Sequence, residues 1–268
     1  MIWNLYSKEL KRGIKYLLIW ATVLVILTIT TMSMFPYIKD AGESMSSIMN
    51  MMPPAMLKAF GIDANMFTSI IGLYNTYYGF YLVLLMGIYS GTNGATIISK
   101  EQRVKTAEFL MTKPITRGQV YFTKMMVLFT LLALIFTIQV CFAYLGVKIF
   151  GEVNVNWSVF RTMHIHGLGL LVFFTALGVF ISMLVKRKVN FMGVIVGVVF
   201  GSYFIDAISK AVSQVKWLGY ISPNHYLDFN IFAPGFELRV VNLAVFLLMS
   251  LALIVASYFI FKKKDINT

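Results

Sequence analysis

Charge is scarce in this chain. Only 13% of its 268 residues are Asp, Glu, Lys or Arg, 59% are hydrophobic, and the mean hydropathy is +0.77, far outside the makeup of a water-soluble domain. There is one cysteine, Cys141, which excludes an intramolecular disulfide; set in an apolar run, it reads as a small buried packing residue. The dipeptide Gly-Lys occurs nowhere, so a Walker A phosphate loop is excluded and any nucleotide energy has to come from another protein. The apolar runs hold no HExxH helix, no paired acids and no Ser/His couple, which leaves an intramembrane hydrolase without its chemistry and disfavours a proton-coupled carrier. His164 and His166 stand two apart, about 200° around a helix, with no third ligand nearby, so they read as interfacial histidines at the mouth of a span and no metal is assigned to them.

What the chain has in quantity is apolar length. Continuous stretches run at 17–35, 71–98, 119–147, 163–185, 189–209 and 239–261, each close to or above the roughly 20 residues that cross a bilayer as a helix. They are continuously apolar rather than alternating, so an all-α integral membrane protein with six transmembrane helices is expected rather than a barrel. The first stretch lacks a small-x-small cleavage site and is read as a retained helix. The whole chain, 1–268, reads as a single transmembrane domain, with no convincing internal repeat.

The few charges are sorted. Of the 23 basic residues, sixteen fall in 1–16, 98–124, 186–188 and the C-terminal tail, and seven in the alternate connections. That bias places both termini and the 98–118 connection in the cytoplasm. Four acids accompany the sixteen bases and seven accompany the other seven, so the net charge of +12 expresses topology and attraction to anionic lipid, not nucleic-acid binding.

Between the spans, residues 2–16 place Ile2, Trp3, Tyr6, Leu10 and Ile14 on one side of a helix and Lys8, Lys11, Arg12 and Lys15 on the other, the pattern of an amphipathic interfacial helix. In the outward connection 36–70, Met45, Met49, Met51, Met52 and Met56 surround Pro53-Pro54, expected as a short helix packed on the membrane face. The second stretch holds Gly87, Gly91, Gly94 and Ala95 beside Ser90, Thr92 and Asn93, which predicts close helix contact with interhelical hydrogen bonds; Asn75 and Gln139 are further polar guests. Gly193, Gly197 and Gly201 repeat every four residues and predict a backbone ridge for another helix, in this chain or in a second copy. The segment 210–238 is too apolar for a free loop and is broken by Pro223, Pro234, Gly219 and Gly235, which predicts short helices dipping back into the outer leaflet.

The charges concentrate most in "KEQRVKTAEFLMTKPITRG", 100–118. Glu101 and Lys105 pair at i, i+4, and Val104, Ala107 and Met111 form a short apolar stripe before Pro114 ends the helix. In this stretch Glu101, Thr106, Glu108, Leu110, Pro114, Ile115, Thr116 and Arg117 resemble the first cytoplasmic loop of the ABC-2 type of ABC-transporter permease, with Lys105 where relatives often have Gly. "YISPNHYLD", 220–228, resembles the Ser-Pro segment before the last span of those permeases. The resemblance covers essentially the whole chain. It implies a bacterial cell-membrane exporter subunit with no ATPase site of its own, in which 100–113 is a coupling helix seated in a separate ATP-binding subunit. Glu101, Arg103, Lys105, Thr106, Glu108, Leu110, Pro114 and Arg117 would make the contact, flanked by the interfacial helix with Trp3, Lys8, Lys11 and Arg12. It further implies two ATP-binding subunits carrying ATP and Mg, a second permease as homodimer or heterodimer, and a cargo that is amphipathic or hydrophobic: an antimicrobial or toxin-like peptide, a lipid or a drug. A sodium-efflux permease of the same family and a non-transporting membrane sensor or scaffold stand as alternatives.

Overall fold

A computed structural model describes residues 2–41, 47, 49, 51–60, 63–103, 116–185, 190–227, 229–232 and 236–263. Among them there is no strand. The helices are α1 (Trp3–Ser33), α2 (Phe35–Asp40), α3 (Pro54–Phe60), α4 (Ile70–Tyr77), α5 (Val83–Arg103), α6 (Arg117–Phe150), α7 (Trp157–Leu184), α8 (Phe191–Ala211), α9 (Pro223–Tyr226) and α10 (Val240–Lys263). A π-turn, Tyr78–Leu82, joins α4 to α5, and 3₁₀ turns cover Ala64–Phe67 and Ser213–Ile221. Six of these units are long and apolar enough to cross a membrane: α1 with α2, α4 with α5, and α6, α7, α8 and α10. The protein is a multi-pass membrane protein.

Polar side chains set where four of the spans begin. Ser69 accepts from the Gly72 amide, Thr116 and Gln119 form a reciprocal capping box, Asn156 accepts from the Ser158 and Val159 amides, and Asn190 accepts from the Met192 amide. Each cap occupies helix-end donors that lipid would leave unpaired. This moves two boundaries away from those read off hydropathy. The fourth span opens at Trp157 instead of 163, because the Asn156 cap outweighs the charge of Arg161, and the third opens at Arg117, so Lys124 is a helical residue and not part of a connection.

The N-terminal segment departs from the expected layout. Residues 3–33 form one uninterrupted helix of 31 residues, about 46 Å long, so the amphipathic stretch continues directly into the first span. Two contacts hold it there: the Ile2 amide donates to Thr123 Oγ1 at 3.1 Å, and the Tyr6 and Thr130 hydroxyls lie 3.0 Å apart. Lys8, Lys11 and Arg12 are exposed, and so is Trp3, which the spacing had placed on the opposite, apolar side.

The spans alternate in direction. α1 and α6 run parallel, with Ile2 beside Thr123, Thr28 beside Gln139 and Lys39 beside Glu152. α10 runs parallel to α7, where the Arg239 amide donates to His166 Nε2 at 3.2 Å and Phe173 meets Phe246, and antiparallel to α6, where Arg117 reaches the Lys262 carbonyl. At the centre α5 lies parallel to α7, backbone against backbone. A Cβ on Gly94 would run into the Thr175 carbonyl oxygen, and one on Gly178 into that of Gly91. The two spans joined there are the most buried of the six, and α10 is the least.

Hydroxyls inside the spans mostly turn back on their own helix, as Thr28 does to the Leu24 carbonyl, Ser99 to Ala95 and Thr175 to Leu171. In lipid this satisfies them without a neighbour. Ser90 does the same with Gly87, so it does not make the interhelical bond expected of it. Cys141 is exposed on α6 and is not a buried packing residue: it falls on the face turned away from α1 and α7, toward where lipid would lie. His164 and His166 are buried, not interfacial, because the early start of α7 sets them two to three turns inside it.

Near the other end, α3 packs on α8, in accord with the short helix expected of the methionine-rich connection. The segment after α8 folds back along it. Ser222 donates to the Ser202 carbonyl at 2.6 Å and Asn224 to Ser202 Oγ at 3.1 Å, which places both about two and a half turns inside the end of α8.

Replacing Gly178 by Val should force α5 and α7 apart at the tightest point in the bundle and destabilise the fold by about 1–3 kcal/mol or more, the range for overpacking a filled site. Gly201→Val, on an open face, should cost little. Thermal unfolding of the two purified variants in one detergent checks the contrast.

Candidate functional site

One end of the bundle gathers the basic residues Lys8, Lys11, Arg12, Arg117, Lys262 and Lys263, and the connection between α5 and α6 leaves from it. The structure gives Glu101 and Arg103 as the last turn of α5 without describing their side chains. Lys105, Thr106, Glu108, Leu110 and Pro114 lie outside the described residues. The expected helix over 100–113 is therefore described only up to Arg103. Arg117 is described: its Nη1 donates to the Lys262 carbonyl at 3.1 Å, joining the start of α6 to the end of α10.

Beside it lies a residue that a count of charges had spent on sidedness alone. Lys124 is almost wholly buried, and its Nζ donates to the Ile97 carbonyl at 2.6 Å. A buried ammonium is costly unless it is held by acceptors. Here it fastens the last turns of α5 to the first turns of α6, the two helices that bracket 104–115, and the neighbouring Thr123 receives the amide of Ile2. Three helices are thus pinned to one another at this end. The sequence signal was weak: a lysine two turns inside an apolar run.

Next to this corner α1, α5 and α6 line an open cleft of about 380 Å³. Its wall is mostly apolar, with Gly13, Tyr16, Ile97 and Leu131, but Glu9, Thr92 and Asn93 also line it. Glu9 is 6% exposed, and Arg12 Nη1 approaches its Oε1 at 3.4 Å from a side chain that is 53% exposed. Thr92 Oγ1 and Asn93 Nδ2 are buried and make no hydrogen bond to the described residues.

Among the described residues the glycine ridge of α8 meets no partner. A Cβ on Gly197 or Gly201 would meet nothing within 4 Å among the described residues, and one on Gly193 would meet only Asn190. The close contact within the chain falls instead on Gly91, Gly94 and Gly178, of which the first two had been read as contact residues.

Toward the opposite end a polar chain crosses four spans. Gln139 Nε2 donates to Thr28 Oγ1 at 2.8 Å and to Tyr74 Oη at 3.3 Å; the Tyr74 hydroxyl lies 3.1 Å from His164 Nε2, and His164 Nδ1 is 2.7 Å from the Phe160 carbonyl. The Phe160 carbonyl accepts only, so Nδ1 carries the proton. Nε2 is then the acceptor and Tyr74 the donor. Every donor in the chain has one acceptor, with a neutral imidazole at the end. Further out, buried Asp206 pairs with Lys210 at 2.9 Å and faces His225 Nδ1 at 3.4 Å. Asp206 and Lys210 line a small pocket of about 50 Å³ with Asn75, whose Nδ2 donates to the Phe229 carbonyl.

Compared with known families, residues 3–266 match the family described as "ABC-2 family transporter protein". No curated protein matches the chain.

Tyr74→Phe removes both bonds through the phenol and should lower stability by about 1–2 kcal/mol, as for interhelical hydrogen bonds in membranes. Combined with His164→Ala the losses should fall short of additive, the sign of a shared network. Unfolding of the single and double variants in mixed micelles measures the coupling.

Proposed function

The chain belongs to the ABC-2 transporter family, the membrane component of an ABC transporter, and on that premise we propose that it is the permease of an ATP-driven exporter of amphipathic or hydrophobic substrates. In this reading the basic end is cytoplasmic, as the lysine and arginine bias requires, and the chain sits in the cell membrane. A separate ATP-binding subunit, present twice, binds ATP and Mg and receives Glu101, Arg103, Lys105, Thr106, Glu108 and Leu110, with Pro114 and Arg117 at the exit of the segment. The lack of any Gly-Lys dipeptide in the sequence accords with an energy source on that partner.

The observation that carries this reading is the way both ends of the 104–115 segment are fastened. The Lys124 bond to the Ile97 carbonyl and the Ile2 bond to Thr123 join α5, α6 and α1 beside its roots. A displacement of the segment by a soluble partner would therefore move three helices together instead of bending one connection. Trp3, Lys8, Lys11 and Arg12, exposed alongside, suit lipid headgroups and the rim of the partner.

A second permease completes the path. The open ridge of Gly193, Gly197 and Gly201 on α8 is the face we assign to it, since small residues spaced by four let two helices approach closely in lipid. Glu9 and Asp206, the carboxylates buried among the described residues, each have a basic neighbour, which favours an amphipathic or hydrophobic cargo over sodium. The alternative of a non-transporting scaffold predicts a partner without ATP hydrolysis or vectorial accumulation.

Purification from the native membrane should bring an ATP-binding subunit with substrate-stimulated hydrolysis, and joint reversal of Glu101 and Glu108 to Lys should reduce transport into inverted vesicles at least about tenfold without loss of insertion. Lys124→Met should leave the complex assembled and ATP hydrolysed while transport falls by a similar factor; full transport in both variants would refute the coupling role. In a Cys141→Ala background, Gly197→Cys should give a covalent dimer on mild oxidation, visible on a non-reducing gel.

A further inference from the structure

The segment that folds back along α8 is held there by three neighbouring residues, and one of them titrates. Ser222 and Asn224 bind at Ser202 through a hydroxyl and an amide, whose hydrogen bonds do not change with pH. His225 is different. Its Nδ1 faces Asp206 Oδ1 at 3.4 Å, and neither atom makes a hydrogen bond to any other described residue. Asp206 is buried and its other oxygen takes Lys210 Nζ at 2.9 Å, whereas 35% of the His225 side chain is open to solvent.

The fold makes room for this contact. A Cβ on Gly219, in the 3₁₀ turn Ser213–Ile221, would stand 2.8 Å from His225 Nδ1 and 2.8 Å from Ser209 Oγ on α8. A side chain there would push the imidazole away, so the glycine lets the ring meet the span. The other titratable groups around it are phenols: Tyr220 and Tyr226, with ring centroids 5.4 and 5.6 Å from that of His225, and Tyr203, which lines the same small pocket as Asp206. Phenols stay neutral until about pH 10. Asp228, three residues on in the chain, lies outside the described residues.

A carboxylate oxygen only accepts, so neutral His225 meets Asp206 as the Nδ1–H tautomer, and a second proton from water goes to Nε2. A charge-assisted N–H···O bond settles at about 2.7–2.9 Å, shorter than the 3.4 Å found, and the contact has room to tighten once the ring is charged. Lys210 and His225 then occupy opposite oxygens of one carboxylate. A proton on His225 meets the Asp206 charge in the docked segment and only water in a released one, so acid favours docking. Rising pH through the histidine range, about 6.5, removes that gain.

We propose that Asp206 and His225 form a pH-sensitive clasp, which holds segment 213–226 on α8 in acid and loosens it above the histidine range. The pH that counts is that of the compartment at the end opposite the basic one, the outside in the exporter reading; the clasp rests on that reading for nothing else. Loosening withdraws Asn224 from the wall of the small pocket that it shares with Asn75 and Asp206, so this face of the permease opens there first.

The test is the distance between spin labels on Lys216→Cys in the segment and Ile149→Cys in the last turn of α6, in a Cys141→Ala background. It is measured by double electron–electron resonance on the purified transporter in phosphatidylcholine nanodiscs, frozen at about pH 5.5 and about pH 7.5, on either side of the histidine range. Samples with each label alone supply the distances between copies. The docked-to-released ratio should rise about three- to tenfold at the lower pH, at and above the range of exposed ion pairs because Asp206 is buried. His225→Gln and Asp206→Asn should each abolish the response, and Asp228→Asn should retain it. A ratio or a single distance unchanged between the two pH values overturns the proposal. A response that survives in His225→Gln or Asp206→Asn, or disappears in Asp228→Asn, does so too. Neither ATP nor cargo enters the measurement, so the clasp can fail while ATP-driven export stands, or hold in a chain that exports nothing.

Discussion

Two backbones in contact organise this bundle. α5 and α7 approach until the Gly91 carbonyl fills the place of a side chain on Gly178, and the Thr175 carbonyl that of one on Gly94. In lipid no hydrophobic force draws helices together, so dispersion across such a contact and a few hydrogen bonds have to do it. The other spans are arranged around this pair: α10 lies along α7, α8 touches α5 through Ile195 and Val199, and α6 reaches α5 through Lys124.

On this frame the polar groups divide by role. The chain from Gln139 through Tyr74 to His164 crosses the spans with each donor matched, so it fixes the relative height of α1, α4, α6 and α7 without carrying charge. At the basic end Thr92 and Asn93 line the cleft between α1, α5 and α6.

The ridge of α8 shows how one sequence pattern takes two fates. Glycines at four-residue spacing and glycines at three- to four-residue spacing both read as contact surfaces, yet among the described residues only the Gly91–Gly94 set finds a partner. Nothing local separates them. The difference arises because α7 brings its own small residue, Gly178, to face the first set, while α8 turns its ridge away from the bundle.

The number of spans, their alternation and the sorting of basic residues follow from the sequence alone, because the cost of unpaired backbone and charge in lipid depends on composition along the chain and not on what packs against it. The tertiary structure decided the rest. It made 3–33 one helix, since the hold on Thr123 and Thr130 comes from a span more than a hundred residues away. It buried His164 and His166, exposed Cys141, and turned Lys124 from one count in a charge bias into a tie between two helices. Each outcome depends on which face of a helix meets a neighbour, and in a membrane lipid and protein offer equally apolar surroundings, so hydropathy cannot tell one face from the other.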